Sequence, residues 1–360
     1  VDKAVQSAQK AFENNWSKIH PRERAKYLKL IADQLRANAE HLGKIETIDT
    51  GKLYRETKTQ ANYIAEYYDY FAGLADKVEG TVVPIDKPDM QVTTTRIPIG
   101  VVAAIIPWNS QMLLTAVKLA PALAMGNTVV IKASELAPVT LLEFAKLIEK
   151  TGIPKGVINI ITGLGEPCGK ALTTHSLVER IAFTGGPETA KHIVKNSAEN
   201  LSQVSLELGG KSPVVVFDDA EQENALNGIT AGIFGASGQS CIAGSRLYLQ
   251  SKIYDEFLKK LINKAEKIKL GGPMEKDTQM GPLNSFKQLE NIEKNIKATI
   301  EQGGKVKCGG KRSSVSNKGY YFPATIIECE NHNLPVAENE LFGPILSVMK
   351  FEKEEEVIDK

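Results

Sequence analysis

Between residues 99 and 217 the chain alternates apolar runs with helical patterns, and this alternation restricts its fold more than any other feature. IGVVAAII (99–106) is continuously apolar, as expected for a strand buried on both faces. Further strands are predicted at 128–134, 157–161, 179–185, 204–208 and 213–217, with helices over 112–125, 138–150 and 187–198. Strands that alternate with helices predict an α/β fold with a Rossmann-like, doubly wound parallel sheet, which binds ligands at the carboxyl ends of its strands.

The segments before this region have a different character. Helices are predicted over 21–42 and 59–75, and the second carries aromatic residues at helical spacing that we expect to pack in a core: Tyr63, Tyr67, Tyr70 and Phe71. GTVVPIDKPDMQVTTTRIP (80–98) is rich in prolines and β-branched residues, and it predicts a two-stranded excursion from the main body.

The pattern changes again near Gly209–Gly210, where we place a domain boundary. Beyond it, helical patterns lie near 221–235, 252–268 and 285–302. Residues 1–79 and 99–209 are therefore predicted to form one domain, and 210–360 a second α/β domain.

Composition excludes several classes of function. The 360 residues carry 44 Lys and Arg against 43 Asp and Glu, so no basic excess is available to hold nucleic acid. No run approaches the ~18 apolar residues of a membrane span. The 5 histidines have no metal-ligand spacing. The four cysteines form no CxxC pair and indicate a reducing, cytoplasmic compartment; they are Cys168, Cys241, Cys308 and Cys329.

The segment GQSCIAGSR (238–246) surrounds Cys241 with small residues, which leaves open space beside the sulfur. Such a thiol is a candidate nucleophile, although small neighbours also occur in tight helix packing. The nearest upstream histidine is His192, which disfavours a papain-like Cys–His site.

Polar residues follow two of the predicted strands. Asn109, after 99–106, could hold a developing oxyanion or bond its own turn. Lys132 and Glu135, after 128–134, could grip the hydroxyls of a ribose, and the carboxylate would disfavour a 2′-phosphate. Ser134 could instead cap the helix that follows.

Glycines and one acid mark the remaining strand ends. Gly163 and Gly165 in GLGEPCG fit a dinucleotide fingerprint poorly and favour a simple turn, whereas Gly185 and Gly186 follow a strand directly and would let a pyrophosphate approach the backbone. Glu207 lies in the apolar strand VSLEL, where burial would favour a general base; a buried ion pair, for example to Lys211, is the structural alternative.

Together these segments resemble the NAD(P)-dependent aldehyde dehydrogenase superfamily. The matching motifs occur in the family's order across essentially the whole chain: PWN (107–109), KASE (132–135), LELGGK (206–211), GQSCIAGSR (238–246) and ELFGP (340–344). The resemblance implies an NAD-binding domain at 1–79 and 99–209, an oligomerisation hairpin at 80–98 and a catalytic domain at 210–360. It implies a homodimer or homotetramer that acts on a small aldehyde, with NAD as the cofactor and NADP as the alternative.

The resemblance also implies roles for individual residues. Cys241 would attack the aldehyde to give a thiohemiacetal, Asn109 would hold the oxyanion, and Glu207 would activate the water that hydrolyses the thioester. Lys132 and Glu135 would hold the adenosine ribose, Glu340 the nicotinamide ribose, and Phe342 would pack near the nicotinamide. The remaining residues that we assign to the cofactor are Ile106, Pro107, Trp108, Ser134, Gly165, Thr184, Gly185, Gly186, Leu208 and Gly209.

The chain departs from the family at several places. GGPETA (185–190) replaces a GSTxxG-type turn, so Gly186 removes a hydroxyl that could touch the pyrophosphate. The chain also begins at Val1, without the usual N-terminal arm, and stops at Lys360, soon after ELFGP. We therefore expect a fragment of a longer protein, poorly active by itself.

Two other classes remain as alternatives. A cysteine-dependent amide or nitrile hydrolase could use Cys241, Glu207 and Lys132. Such an enzyme needs no nucleotide, so it would not explain the motifs ELFGP (340–344) and KASE (132–135). A non-catalytic binding protein could keep the fold, although it would not need Cys241, Glu207 and Asn109 together.

Overall fold

A computed structural model describes residues 1–315 and 318–360 of the chain. The structure divides into two units. The first comprises Val1–Asp49 and Thr57–Leu208, and the second comprises Thr50–Glu56 and Gly209–Lys360. The predicted α/β fold with a Rossmann-like parallel sheet is confirmed.

The first unit is built on a five-stranded sheet in the order β5-β4-β3-β6-β7. All its pairings are parallel. The strands are β3 (Val101–Ile105), β4 (Thr128–Lys132), β5 (Ile158–Ile161), β6 (Val178–Thr184) and β7 (Gln203–Glu207). β3 and β4 are buried along their whole length, which explains their uninterrupted apolar sequence.

Helices surround this sheet and enclose apolar clusters. They are α1 (Asp2–Asn14), α2 (Pro21–Ala37), α3 (Ala39–Thr50), α4 (Tyr54–Leu74), α5 (Gln111–Ala124), α6 (Val139–Lys150), α7 (Lys170–Thr173) and α8 (Pro187–Ser197). Two short turns add to them, at Trp16–Lys18 and Gly165–Gly169. α3 contributes its last residue, Thr50, to the second unit, and α4 contributes its first three.

Two local predictions in this unit are wrong. The single helix expected over 21–42 is interrupted at Asn38, whose side-chain amide donates to the carbonyl of Gln34 at 2.8 Å and so ends α2. The aromatic residues of α4 do not all pack in a core: Tyr63 and Tyr70 are 51% and 63% exposed, whereas Tyr68 is fully buried.

Residues 80–98 contain the two-stranded excursion. β1 (Val82–Val83) pairs antiparallel with β2 (Val92–Thr93), and the side chains on both strands are largely exposed. The oligomerisation role of this hairpin stays a prediction.

The second unit has its own five-stranded sheet, in the order β10-β11-β12-β9-β8. Only the β10–β11 pair is antiparallel. The strands are β8 (Pro213–Val216), β9 (Arg246–Gln250), β10 (Lys305–Cys308), β11 (Thr325–Glu328) and β12 (Ile345–Phe351). The helices are α9 (Gln222–Phe234), α10 (Tyr254–Glu266), α11 (Phe286–Glu301), α12 (Pro335–Glu338) and α13 (Glu354–Ile358).

Two findings concern the described residues as a set. Within residues 1–315 and 318–360, no helix is both long and apolar enough to cross a membrane. The same residues contain no group of three or more side chains arranged to ligate a metal ion.

Candidate active site

The carboxyl ends of β3, β4 and β6 face a cavity of about 400 Å³ in the first unit. Parallel pairing brings these ends together, because Ile105 is level with both Lys132 and Phe183. The cavity is lined by residues predicted to bind the cofactor: Ile106, Pro107, Trp108, Lys132, Ser134, Glu135, Gly165, Thr184, Gly185 and Gly186. Its position is the one expected for a ligand in a doubly wound sheet.

Lys132 and Glu135 form a charged pair at this cavity. The Lys132 side chain is only 5% exposed, and its Nζ donates to Oε2 of Glu135 at 3.4 Å. Glu135 is 44% exposed, so the carboxylate remains accessible to a ligand hydroxyl. The pair fits a diol, because it offers a donor and an acceptor side by side.

Ser134 does not cap the following helix. Its Oγ accepts from the backbone N–H of Leu136 at 3.3 Å, within the loop. α6 begins at Val139, and the N–H of Val139 donates to Asp49 instead. This alternative for Ser134 is wrong because the helix starts one turn later than the cap would require.

Gly185 and Gly186 join β6 to the first turn of α8. A Cβ on Gly185 would lie 2.5 Å from the ring of Phe183, so a side chain has no room there. A Cβ on Gly186 would meet nothing within 4 Å. Gly186 is the N-cap, with no side-chain capping bond, and Pro187 follows at the first helical position. The N-terminus of α8, which carries the positive end of the helix dipole, therefore faces the cavity, and its N-cap residue has no side chain to block a ligand.

Glu207 ends β7, which is the edge strand of the sheet, and it is exposed. The prediction that this carboxylate is buried is wrong. Glu207 is the last residue of an edge strand, and such a residue has neighbours on one side only. Glu207 is paired across the sheet with Thr184, and it accepts through its backbone carbonyl from the N–H of Gly185 at 3.1 Å.

Lys118 on α5 lies close to this corner and was not predicted. It is 9% exposed, and its Nζ donates to Oγ1 of Thr184 at 2.6 Å. Burial lowers the pKa of Lys118, and the charge of Glu207 acts in the opposite direction. A lysine in the middle of the apolar helix MLLTAVKLAPALA was the signal that could have found it.

Asn109 follows β3 and precedes the N-cap residue of α5, Ser110. Its side chain is nearly buried, at 8% exposure. The polypeptide is held here by Gln111, which is fully buried and donates from Nε2 to the carbonyl of Ala137 at 2.8 Å. Asn109 is therefore fixed at a strand end, as predicted, while its role stays a prediction.

Cys241 follows a left-handed turn in the second unit. Ala236, Ser237 and Gly238 have φ values of 48°, 56° and 69°. A non-glycine residue in this region costs roughly 1–3 kcal/mol, and such residues are concentrated at functional sites. The turn is held by a hydrogen bond from Oγ of Ser237 to the carbonyl of Gly281 at 2.9 Å.

The four cysteines differ in their surroundings. Cys308 and Cys329 are buried, and burial raises the pKa of each thiol to about 11, which makes them poor nucleophiles. Cys168 and Cys241 are half-exposed. Beside Cys241 the side chain of Ile242 is 81% exposed, so the segment presents the thiol at a surface of its own unit.

Glu340 and Phe342 lie on a loop of the second unit, against the Gly-Gly segment that follows Leu208. Gly210 donates its backbone N–H to the Glu340 carboxyl. Gln288 on α11 donates from Nε2 to the carbonyls of Leu341 and Phe342, the latter at 3.0 Å. Phe342 itself has a left-handed φ of 52°.

Several other cavity residues were missed from the sequence. They come from the Gly165–Gly169 turn and from α7 and α8: Glu166, Gly169, Lys170, Thr173, Thr189, His192, Ile193 and Asn196. Thr189 and His192 are three apart on α8, and their helical spacing after Gly185-Gly186 was the available signal.

A nucleotide-dependent oxidoreductase accounts for both units, since one has a nucleotide-sized cavity at the strand ends and the other presents an accessible thiol. The chain belongs to the aldehyde dehydrogenase family, whose family model matches residues 1–360. The predicted aldehyde-oxidising enzyme is confirmed at the level of the family, which does not favour the amide or nitrile hydrolase.

Individual relatives agree with this assignment. A (Z)-2-((N-methylformamido)methylene)-5-hydroxybutyrolactone dehydrogenase of Acinetobacter baylyi is 53% identical over 100% of this chain and 74% of its own length. Betaine aldehyde dehydrogenase of Bacillus subtilis is 41% identical over 99% and 74%. The NAD⁺ complex of an aldehyde dehydrogenase from Bacillus cereus has a TM-score of 0.96 at 38% identity, covering 99% of this chain and 73% of that one.

Proposed function

We propose that the protein oxidises a small aldehyde to a carboxylic acid with NAD, and that Cys241 is the nucleophile. The cavity at the carboxyl ends of β3, β4 and β6 carries the proposal, because its lining includes most of the residues that the family resemblance implies for the cofactor. The solved relative from Bacillus cereus binds NAD⁺, which supports the same cofactor here.

The residues present fit this cofactor. Lys132 and Glu135 offer a cation and a carboxylate to the adenosine ribose, and the charge of Glu135 opposes the 2′-phosphate of NADP, which stays the alternative cofactor. Glu340 has one buried carboxyl oxygen, Oε1, without a hydrogen-bond partner among the described residues. A hydroxyl of the nicotinamide ribose would supply that missing donor. When bound, NAD supplies the acceptor for a hydride.

Each step of the reaction has a proposed residue. The thiolate of Cys241 attacks the carbonyl carbon and forms a C–S bond, and the side-chain amide of Asn109 and the backbone N–H of Cys241 donate to the resulting oxyanion. Loss of a hydride from the same carbon leaves a thioester on Cys241. Glu207 then removes a proton from water, the hydroxide attacks the thioester, and cleavage of the C–S bond releases the acid and the thiolate.

The relatives narrow the choice of test substrates. A 5-hydroxybutyrolactone is a cyclic hemiacetal whose ring-opened form carries an aldehyde and a carboxylate. The relative with 53% identity is named for such a compound, so we include this class in the proposed substrate range beside betaine aldehyde.

We further propose a cytoplasmic homo-oligomer, a dimer or a tetramer. Free thiols at all four cysteines support a reducing compartment. The exposed hairpin of β1 and β2 supports association, because an isolated two-stranded hairpin is marginally stable in water.

The test uses the purified natural protein with NAD and NADP against an aldehyde panel that includes a 5-hydroxybutyrolactone and betaine aldehyde. Cys241→Ala should lower kcat at least roughly a thousandfold while NADH still binds, because only the nucleophile is removed. Cys168→Ser, at the other half-exposed thiol, is the matched control and should keep its activity. Turnover of Cys241→Ala at the wild-type rate would show that the nucleophile is wrong.

A further inference from the structure

The carboxyl group of Glu340 lies directly on the backbone of Gly209 and Gly210. A Cβ built on Gly209 would stand 1.8 Å from Oε2 of Glu340, and the N–H of Gly210 donates to the same carboxyl. Burial raises the pKa of Glu340. A half-buried carboxylate of this kind needs a compensating charge if it is to stay ionised and in place.

Lys211, the next residue, provides that charge and a tether. Its Nζ donates to the carbonyl of Val336 at 2.9 Å. Val336 lies on α12, four residues before Glu340, and the two partners of this hydrogen bond are far apart in sequence. The bond therefore fixes the residues that lead into the ELFGP loop against the segment 209–211.

The loop is held at its other end by a neutral group. Gln288 on α11 donates to the carbonyls of Leu341 and Phe342. The chain is thus held on both sides of Glu340. Lys211 binds the carbonyl of Val336 before it, and Gln288 binds carbonyls after it. Of these two side chains, only Lys211 carries a charge.

Three neighbouring side chains act on the charge of Lys211, namely Arg246, Glu340 and Cys329. Arg246 on β9 donates from Nε to the backbone carbonyl of Lys211 at 2.7 Å, and its charge repels the ammonium. Glu340 and Cys329 act in the opposite direction. Burial dominates, followed by Arg246, and together they lower the pKa of Lys211 to about 8.

We propose that Lys211 is a positioning residue for the cofactor: it holds Glu340 in place as an ionised acceptor for the ribose hydroxyls of the nicotinamide half. This inference rests on the proposed function. Because Lys211 loses its positive charge as pH rises through its pKa of about 8, its hold on Glu340, and through Glu340 on the nicotinamide half of the cofactor, should weaken above that pH.

The experiment compares binding of NADH and of AMP, which lacks the nicotinamide ribose, to the natural protein and its variants. Lys211→Met should weaken NADH binding about tenfold and leave AMP binding unchanged, because Glu340, the proposed acceptor for the ribose of the nicotinamide half, is then no longer held in place. Wild-type affinity for NADH should fall as pH rises through about 8, and Lys211→Met should lack this step. Lys297→Met, at a lysine of the same unit that is 80% exposed, is the control for loss of a positive charge.

Lys211→Arg distinguishes loss of the positive charge from a general loss of folding, because arginine keeps its charge at pH values on both sides of 8. It should bind NADH nearly as wild type and should lack the step near pH 8. Equal weakening of NADH and AMP by Lys211→Met, no effect on either, or persistence of the step in Lys211→Arg would each overturn the inference. Failure of the wild-type protein to bind either nucleotide would instead contradict the proposed function.

Discussion

Gly209 shows how a single residue can be required by a side chain more than a hundred positions away. The carboxyl group of Glu340 occupies the space beside Gly209 where a Cβ would lie. A Cβ on Gly209 would stand only 1.8 Å from Oε2 of Glu340. Gly210, by contrast, would bring a Cβ only to 3.8 Å from the carbonyl of Cys241, which is an ordinary contact. A side chain is therefore excluded by Glu340 at Gly209, whereas at Gly210 there is room for a Cβ.

This difference predicts the outcome of a pair of substitutions. Gly209→Ala should displace Glu340 and weaken NADH binding at least about tenfold, with a loss of roughly 1–3 kcal/mol in unfolding free energy from overpacking. Gly210→Ala should have a smaller effect on both quantities. Fluorescence titration with NADH and denaturant unfolding measure them, and equal effects of the two substitutions would refute the steric argument.

Helix α8 lacks two donors that a pyrophosphate site at a helix N-terminus could use. Its N-cap is Gly186, which makes no side-chain capping bond, and Pro187 has no N–H to offer. The space beside Gly186 is open, so the missing side chain is not excluded by packing. An anion at this helix N-terminus would therefore meet fewer donors than a helix with a Ser cap offers.

Gly186→Ser should therefore improve cofactor binding. The hydroxyl adds a donor at the helix N-terminus, so we expect KM for NAD to fall about two- to fivefold and the unfolding free energy to rise by a few tenths of a kcal/mol, at roughly constant kcat. Gly73→Ser is the control, since Gly73 on α4 also has open space around it. An unchanged or higher KM in Gly186→Ser would show that the pyrophosphate does not meet this cap.

Elements were predictable wherever one periodicity dominated the sequence. The strands of the first sheet were located within two residues at each end, and β3 and β4, which are buried on both faces, are continuously apolar as expected. Strands β9 to β12 were not located from the sequence. Glu207 was expected to be buried because VSLEL is apolar, but β7 lies at the edge of its sheet, and the strand order cannot be inferred from one strand.

The site residues were likewise predictable where a local motif marks them, and not where only a tertiary contact does. Residues in short motifs at strand ends, such as Lys132 and Glu135, were found because each motif is local. Gln288 was not, because it acts through a tertiary contact that leaves no local pattern. Lys118 was marked only by its place in an apolar helix. Lys211 was considered only as an ion-pair partner of Glu207, whereas its ammonium donates to the carbonyl of Val336. Tertiary contacts, rather than motifs, decide which polar side chains support a site.

At the scale of the molecule, a formal net charge of +1 gives the protein little long-range repulsion against its own copies. The 80–98 segment adds an apolar surface, because Val82 is 68% exposed, Met90 54% and Ile97 73%. An exposed apolar hairpin in a protein of nearly neutral charge favours self-association through that hairpin.

The natural protein should therefore be a homodimer or homotetramer, and Val82→Lys with Ile97→Lys should dissociate it, because burying two cations in an apolar interface costs free energy unless each is paired. Light scattering after size-exclusion chromatography measures the mass of each species. Ile48→Lys, at an isoleucine of α3 that is 75% exposed, is the control and should leave the mass unchanged. Monomeric wild-type protein, or a double variant that keeps the wild-type mass, would exclude the hairpin as the interface.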